Sequence, residues 1–194
     1  RPGLGRRPVD HLIVASGSVP ERYRPFLRRS DLAPDRISVV HSSYWEDRFH
    51  PGVDGTPVRR ELGAAEPDRL LVGVIGRLVP DKGGIHFLRA AARLGADFPG
   101  ATFVFVGRGT EEARLREAAR ELGIGEKVRF LGFREDIPEI TAALDLSVLP
   151  SVDCDASSAV LKEAMAIGRP VVATDIGGAA EIVRSGETGW VVPP

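Results

Sequence analysis

From about residue 70 to the end of the 194-residue chain, short apolar runs rich in β-formers alternate with segments of helical periodicity. The apolar runs predict six strands, over Leu70–Ile75, Thr102–Val106, Val128–Leu131, Leu146–Leu149, Pro170–Thr174 and Gly189–Val192. The segments between them predict helices over Gly84–Leu94, Thr110–Leu122, Asp136–Leu144, Ser158–Ile167 and Ala179–Ser185. Most strand runs are almost continuously apolar, which is typical of parallel strands covered by helices on both faces. The pattern predicts an α/β fold with a doubly wound parallel sheet of six strands.

The first part of the chain has a different organisation. A strand over His11–Ala15, a helix over Pro20–Arg29 and a strand over Ile37–Val40 form one partial βαβ unit, which is too small to bury its own faces. Residues 46–69 carry glycine, proline and charge without clear periodicity, so they predict a linker. We therefore expect residues 1–45 to be the tail of a preceding domain and residues 70–194 to be a second domain, truncated at its C-terminus.

Charge and cysteine content exclude several classes of protein. Lysine and arginine number 26 and aspartate and glutamate 27, and no long basic run is present, so nucleic acid is not an expected partner. One cysteine, Cys154, excludes an internal disulfide framework and a cysteine-based zinc site. The four histidines show no metal-ligand spacing. A cytoplasmic setting is expected, with peripheral association of a longer protein with the membrane as an alternative.

In a doubly wound sheet, ligands bind beyond the carboxyl ends of the strands where the strand order reverses, between the first and fourth strands. The loop after the first strand, Gly76–Gly84, contains Arg77 and Lys82 among glycines. Glycine lets the backbone approach a ligand, and the two cations can neutralise a diphosphate. The alternative is a glycine-rich turn with solvated charges.

The loop after the fourth strand is mostly small or acidic and leads into a helix that carries Glu163. Small residues at the start of a helix leave its N–H groups open to a phosphate. Glu163 can lean back over the first turn, where a carboxylate could accept hydrogen bonds from a sugar diol. The alternatives are a solvated helix residue for Glu163 and ordinary helix N-terminal or loop carboxylates for Asp153 and Asp155.

Other nucleotide-binding patterns are incomplete. The run Val106-Gly107-Arg108-Gly109 lacks the third glycine of a dinucleotide fingerprint, and Glu111 and Glu112 in the following helical turn would repel a pyrophosphate. A nicotinamide or flavin site is therefore not expected. The chain contains neither a Walker loop nor a Gly-x-Ser-x-Gly elbow.

A series of short motifs, in order along the chain, resembles the donor domain of glycosyltransferase family 4. The motifs are Gly76-Arg77-Leu78 with Lys82-Gly83, Val106-Gly107-Arg108-Gly109, Phe130-Leu131-Gly132, Leu149-Pro150-Ser151, Glu163-Ala164-Met165-Ala166, Gly177-Gly178 with Glu181-Ile182-Val183, and Thr188-Gly189. The resemblance covers about residues 70–194. It implies a retaining, metal-independent transferase of the GT-B fold, in which a nucleotide-sugar lies between two Rossmann-like domains. The six-stranded sheet would then be the donor half, and residues 1–45 the tail of an acceptor domain.

The resemblance also implies roles for individual residues. The donor diphosphate would contact Gly76, Arg77, Lys82 and the backbone of Ser158, Ala159 and Val160. Glu163 would bind the ribose hydroxyls, and Phe133 and Arg134 lie where the family places the nucleobase. The catalytic pair would be Asp155 and Glu163. No cofactor is expected, because the nucleotide-sugar is a substrate.

One departure from the family concerns its Glu-x7-Glu motif, which reads here as Asp155-x7-Glu163. The first acid, expected to contact the donor sugar, is therefore one methylene shorter. The shorter acid supports one alternative to a transferase, a nucleotide-sugar-binding domain without transfer. A second alternative is a GT-B-like sugar-nucleotide epimerase, which would share the sheet and the diphosphate cleft. The donor could be a UDP-, GDP- or ADP-sugar. The acceptor could be a glycan, a lipid or a small molecule.

Overall fold

A computed structural model describes residues 11–18, 34–153 and 155–194. Its main sheet has six strands, β3 (Leu71–Ile75), β4 (Thr102–Val106), β5 (Val128–Phe130), β6 (Leu146–Leu149), β7 (Val171–Thr174) and β8 (Gly189–Val192). Their order is β5-β4-β3-β6-β7-β8, and every neighbouring pair is parallel. The predicted doubly wound parallel sheet is confirmed, with its first and fourth strands side by side.

Six α-helices occur among the described residues. They are α1 (Thr56–Glu61), α2 (Gly84–Leu94), α3 (Glu112–Glu121), α4 (Ile137–Ala143), α5 (Ala159–Ile167) and α6 (Ala179–Ile182). Helix α3 begins later than the predicted Thr110, because the Glu111 N–H donates to the carbonyl of Leu78 at 2.9 Å instead of joining a helical turn. Helix α6 ends before the predicted Ser185, because the buried Val183 is extended.

Both faces of the sheet are buried, as the apolar strand runs predict. From β4, Phe103 and Phe105 pack on one face with Phe87 of α2, at ring-centroid distances of 5.9 and 5.2 Å. Val104 from the same strand points to the other face and joins the cluster that contains Leu144. Because neither face is open to water, consecutive residues of the strand are apolar.

The segment predicted as a linker, residues 46–69, contains helix α1. The Asp54 carboxylate accepts a hydrogen bond from the Thr56 N–H at 2.9 Å, and Pro57 stands in the first turn. Only Val58 of the six helical residues is buried, which is too little apolar periodicity to reveal the helix in the sequence. No helix was predicted in this segment, and its role as a linker between two domains stays a prediction.

Strands β1 (Leu12–Val14) and β2 (Ile37–Val39) pair in parallel beside the main sheet, as two strands of the predicted βαβ unit. The helix predicted over residues 20–29 lies outside the described residues. Glu181 of α6 contacts this unit: its carboxylate accepts from the Gly17 N–H at 3.0 Å and lies 3.6 Å from the His41 ring.

Candidate functional site

The loops after β3 and β6 meet beyond the carboxyl ends of these strands. The strands are direct neighbours, with Val72 opposite Leu146, so both loops emerge at the same edge. The Val152 N–H donates to the Asp81 carbonyl at 2.9 Å and joins the loops through their backbones. They enclose a cavity of about 190 Å³, lined by Gly76, Arg77, Lys82, Asp155, Ser158, Ala159 and Val160 among others. Sequence reasoning predicted this meeting of the loops.

The N-terminus of helix α5 forms one wall of this cavity. Ser158 precedes the first helical residue with extended backbone (ψ 115°), is buried, and makes no side-chain cap to the helix. The first N–H groups of an α-helix have no partner within the helix, and they carry the positive end of its dipole. Together with the cavity beside them, these groups can bind an anion.

The two predicted phosphate-binding cations are held very differently. Lys82 donates from Nζ to Oδ2 of Asp155 at 2.7 Å, and the two side chains are only 21% and 13% exposed. Arg77 is 72% exposed and lies 3.9 Å from the Asp81 carboxylate, which makes a loose surface ion pair. The site therefore contains one partly buried, paired lysine and one exposed arginine.

A second cavity of about 350 Å³ adjoins the first and shares Ile75, Gly76 and Arg77 with it. Phe133 and Arg134 line its far side. The Phe133 ring is 66% exposed and offers a flat apolar surface. The two predicted nucleobase residues therefore line one of two adjoining cavities, and the start of α5 lines the other.

The Arg134 guanidinium is bound to two carboxylates. It donates to Glu61 at 2.6 and 3.0 Å and to Asp136 at 2.8 and 2.6 Å. These hydrogen bonds lower the pKa of Asp136 and of Glu61. A guanidinium with two carboxylate partners is held rigidly, so Arg134 also ties α1 to the loop before α4. Sequence reasoning missed Glu61, because it lies in the helix that the sequence did not reveal.

Glu163 lies one turn into α5 and is partly buried. Burial raises the pKa of its carboxyl group, and the positive charges of Arg48 and Lys162 act in the opposite direction. Sequence reasoning missed both cations. Lys162 donates from Nζ to the Ser42 carbonyl at 2.7 Å and to Ser157 Oγ at 2.9 Å, which joins the end of the first unit to the start of α5.

Within residues 11–18, 34–153 and 155–194, no group of three or more histidine, cysteine, aspartate or glutamate side chains could hold a metal ion. The expectation of a metal-independent reaction stays a prediction. In the same part of the chain, no helix is long and apolar enough to cross a membrane.

Two curated relatives share this sequence pattern. The chain is 38% identical over 166 residues to the D-inositol 3-phosphate glycosyltransferase of Mycobacterium sp. (strain KMS). The aligned region covers 82% of this chain and 36% of the relative. It is 44% identical over 119 residues to an exopolysaccharide phosphotransferase of Streptomyces coelicolor. That aligned region covers 61% of this chain and 13% of the relative. This chain therefore spans little more than a third of the glycosyltransferase it matches.

Solved structures share the fold. The crystal structure of Anabaena HepE in complex with UDP-glucose superposes with a TM-score of 0.85 at 30% identity, over 98% of this chain and 52% of that chain. The C-terminal domain of a glycosyl transferase group 1 family protein from Francisella tularensis superposes with a TM-score of 0.66 at 28% identity, over 77% of this chain and 79% of that domain. The sequence profile described as Glycosyl transferases group 1 matches residues 58–194, and this includes the last four residues of α1 and the whole six-stranded sheet. The chain belongs to the Glycosyl transferases group 1 family.

Proposed function

We propose that this chain is the donor-binding part of a glycosyltransferase that moves a sugar from a nucleotide-sugar to an acceptor with retention of configuration, as in family 4. The observation that carries the proposal is the pair of adjoining cavities, one lined by Phe133 and the other by the start of α5 and Lys82. A structural neighbour, Anabaena HepE, was crystallised with UDP-glucose. We therefore propose a UDP-sugar as the donor.

In this arrangement the diphosphate lies against the first turn of α5. The N–H groups there, together with Lys82 and the exposed cation of Arg77, stabilise the negative charge that develops on the departing nucleotide. The charge is met by groups already in position, so little reorganisation is needed at the moment of bond cleavage. Electrostatic stabilisation of the leaving group is the main contribution of this chain to catalysis.

The nucleoside lies along the second cavity. The exposed Phe133 ring provides a surface on which a base can stack. Glu163 accepts hydrogen bonds from the ribose hydroxyls when its carboxyl group is ionised. The Arg134 guanidinium, already bound to Glu61 and Asp136, supports the wall of this cavity.

The acceptor is held by a second domain that faces this cleft, and residues 1–45 are the end of that domain. Holding acceptor and donor in line can account for about 7 to 11 kcal/mol of a reaction barrier. We therefore propose that this chain alone binds the donor but transfers no sugar. A cytoplasmic location and a reaction without metal or cofactor are retained as predictions. The epimerase alternative receives no support from the family match.

Saturation-transfer NMR with UDP-glucose tests the proposal. Irradiation of the protein should transfer magnetisation to the uracil, ribose and glucose protons, with GDP and ADP added as competitors to compare the bases. The UDP-glucose should remain intact. A protein that also carries the preceding domain should give a product whose anomeric coupling matches that of the donor. The proposal would be contradicted if no magnetisation were transferred to UDP-glucose, GDP or ADP. A product with inverted anomeric configuration would contradict it as well.

A further inference from the structure

Asp155 contacts Lys82 in the cleft, although the family resemblance predicts that it contacts the donor sugar. We infer that Asp155 is an internal counter-anion that competes with the donor diphosphate for Lys82 and thereby weakens nucleotide binding. The inference rests on the proposed function and deepens it, because it assigns a specific energetic role to a residue of the same site.

The geometry of the pair is that of a close, partly desolvated ion pair. Lys82 Nζ lies 2.7 Å from Asp155 Oδ2, and Ser151 Oγ lies 3.4 Å from the same oxygen. Both charged side chains line the cavity that begins at helix α5. At this distance and degree of burial, an ion pair is screened by water much less than a surface pair.

The loop at Gly177 and Gly178 fixes the backbone of Asp155. The Gly178 N–H donates to the Asp155 carbonyl at 3.2 Å, and a Cβ on Gly177 would lie 2.1 Å from the same oxygen. The carboxylate of the short aspartate side chain is therefore restricted to the neighbourhood of its own loop. Lys82 is within its reach because the two loops are joined by the Val152 to Asp81 hydrogen bond.

A bound diphosphate meets a lysine that already has an anionic partner. It must either displace the carboxylate from Lys82 or lie beside it, and both cost free energy because like charges repel in a partly desolvated site. Binding of the nucleoside end does not involve this cost, since it takes place in the second cavity. Loss of the Asp155 charge should therefore strengthen the binding of UDP and leave the binding of uridine unchanged.

The Arg77–Asp81 pair provides a matched control. It also joins a candidate phosphate-binding cation to an aspartate, but its separation is 3.9 Å and its arginine is 72% exposed. Exposed pairs contribute little free energy because water screens them. Removal of the Asp81 charge should therefore change UDP affinity much less than removal of the Asp155 charge.

Calorimetric titration with UDP and with uridine tests the inference. Asp155→Asn should bind UDP about three to ten times more tightly than the wild type, and Asp81→Asn should change the affinity less than about twofold. In a Lys82→Met background, Asp155→Asn should lose this gain, since the cation for which the carboxylate competes is gone. Asp155→Ser serves as a second variant, and thermal unfolding of each variant establishes that it is folded.

Equal or weaker UDP binding in folded Asp155→Asn and Asp155→Ser would overturn the inference. A gain that persists in the Lys82→Met background would also overturn it, because the effect would then not pass through the lysine. These results differ from a failure of the proposed function, in which the wild type would bind neither UDP nor uridine.

Discussion

Gly83 and the Pro150 carbonyl lie in direct contact across the cleft. A Cβ placed on Gly83 would be 1.8 Å from the Pro150 oxygen, and Gly83 has a left-handed backbone, with φ of 65°. This contact joins the loop that contains Lys82 to the loop that contains Asp155. The close approach of the two loops, and with it the cavity at the start of α5, therefore depends on the absence of a side chain at residue 83.

Gly83→Ala should damage both stability and nucleotide binding. The left-handed backbone alone costs an alanine about 1 to 2 kcal/mol, and the clash with Pro150 adds to this by forcing the loops apart. Gly63→Ala is the matched control: Gly63 has a φ of 68°, but nothing lies within 4 Å of its added Cβ. Denaturant unfolding should show a larger loss of unfolding free energy for Gly83→Ala than for Gly63→Ala. Calorimetry should show that Gly83→Ala binds UDP at least about tenfold more weakly than the wild type does. Equal losses in the two variants would mean that the loop contact is unimportant.

Arg59 attaches helix α1 to the six-stranded sheet and to helix α4. Its guanidinium donates to the carbonyls of Ala64, Ala143 and Arg69 at 3.0, 2.8 and 2.6 Å, and to the Asp145 carboxylate at 2.9 Å. Asp145 also accepts from the Leu71 N–H at 2.7 Å, so the same group anchors the start of β3.

Arg59→Ala should therefore lower the free energy of unfolding by about 2 kcal/mol or more, because several partly buried acceptors lose their donor. Arg60→Ala, at an exposed position of the same helix, should change it by less than about 0.5 kcal/mol. Urea titration followed by circular dichroism measures both values. If Arg59→Ala were as stable as Arg60→Ala, α1 would not be an integral part of the domain.

The pH dependence of nucleotide binding should reflect Glu163. Burial raises the pKa of its carboxyl group, so the ionised form that accepts ribose hydrogen bonds is lost at a higher pH than for an exposed glutamate. The affinity for UDP-glucose, whose diphosphate stays fully ionised in this range, should fall as pH decreases from about 7 towards about 4. Glu163→Gln should bind UDP-glucose more weakly at neutral pH and lack this titration.

Arg48→Met should move the titration of Glu163 to still higher pH, because the Arg48 charge favours the carboxylate. The effect on stability has the opposite sign to that on binding. Since the pKa in the folded chain lies above that in the unfolded chain, the contribution of Glu163 favours folding at low pH and is lost as pH rises through the folded pKa. An unchanged titration in Arg48→Met would mean that the arginine does not act on Glu163.

The sheet could be predicted because its signal is local. Phe103, Val104 and Phe105 are apolar in succession since the two faces of β4 are covered by different helices, and a continuous apolar run is visible in the sequence. The bounds of β4, β6 and β8 match the prediction. The meeting of the two loops followed from the strand order alone.

The contacts within the site could not be predicted in the same way. Lys82 and Asp155 are separated by 73 residues, and their pairing depends on loop geometry that no spacing rule contains. The sequence showed that Asp155 is short but not what it contacts. Helix α1 and the binding of Arg134 to Glu61 were missed together, because a six-residue helix with one buried side chain leaves no periodic signal.

A crystal structure of this chain with UDP would show which groups hold the diphosphate. The diphosphate oxygens should lie within about 3 Å of the first N–H groups of α5 and of Lys82 Nζ, with the uracil ring beside Phe133. The apolar groove of about 360 Å³ lined by Phe87, Leu94 and Val192 should be empty of nucleotide. UDP bound in that groove, or with its diphosphate away from α5, would contradict the proposed donor site.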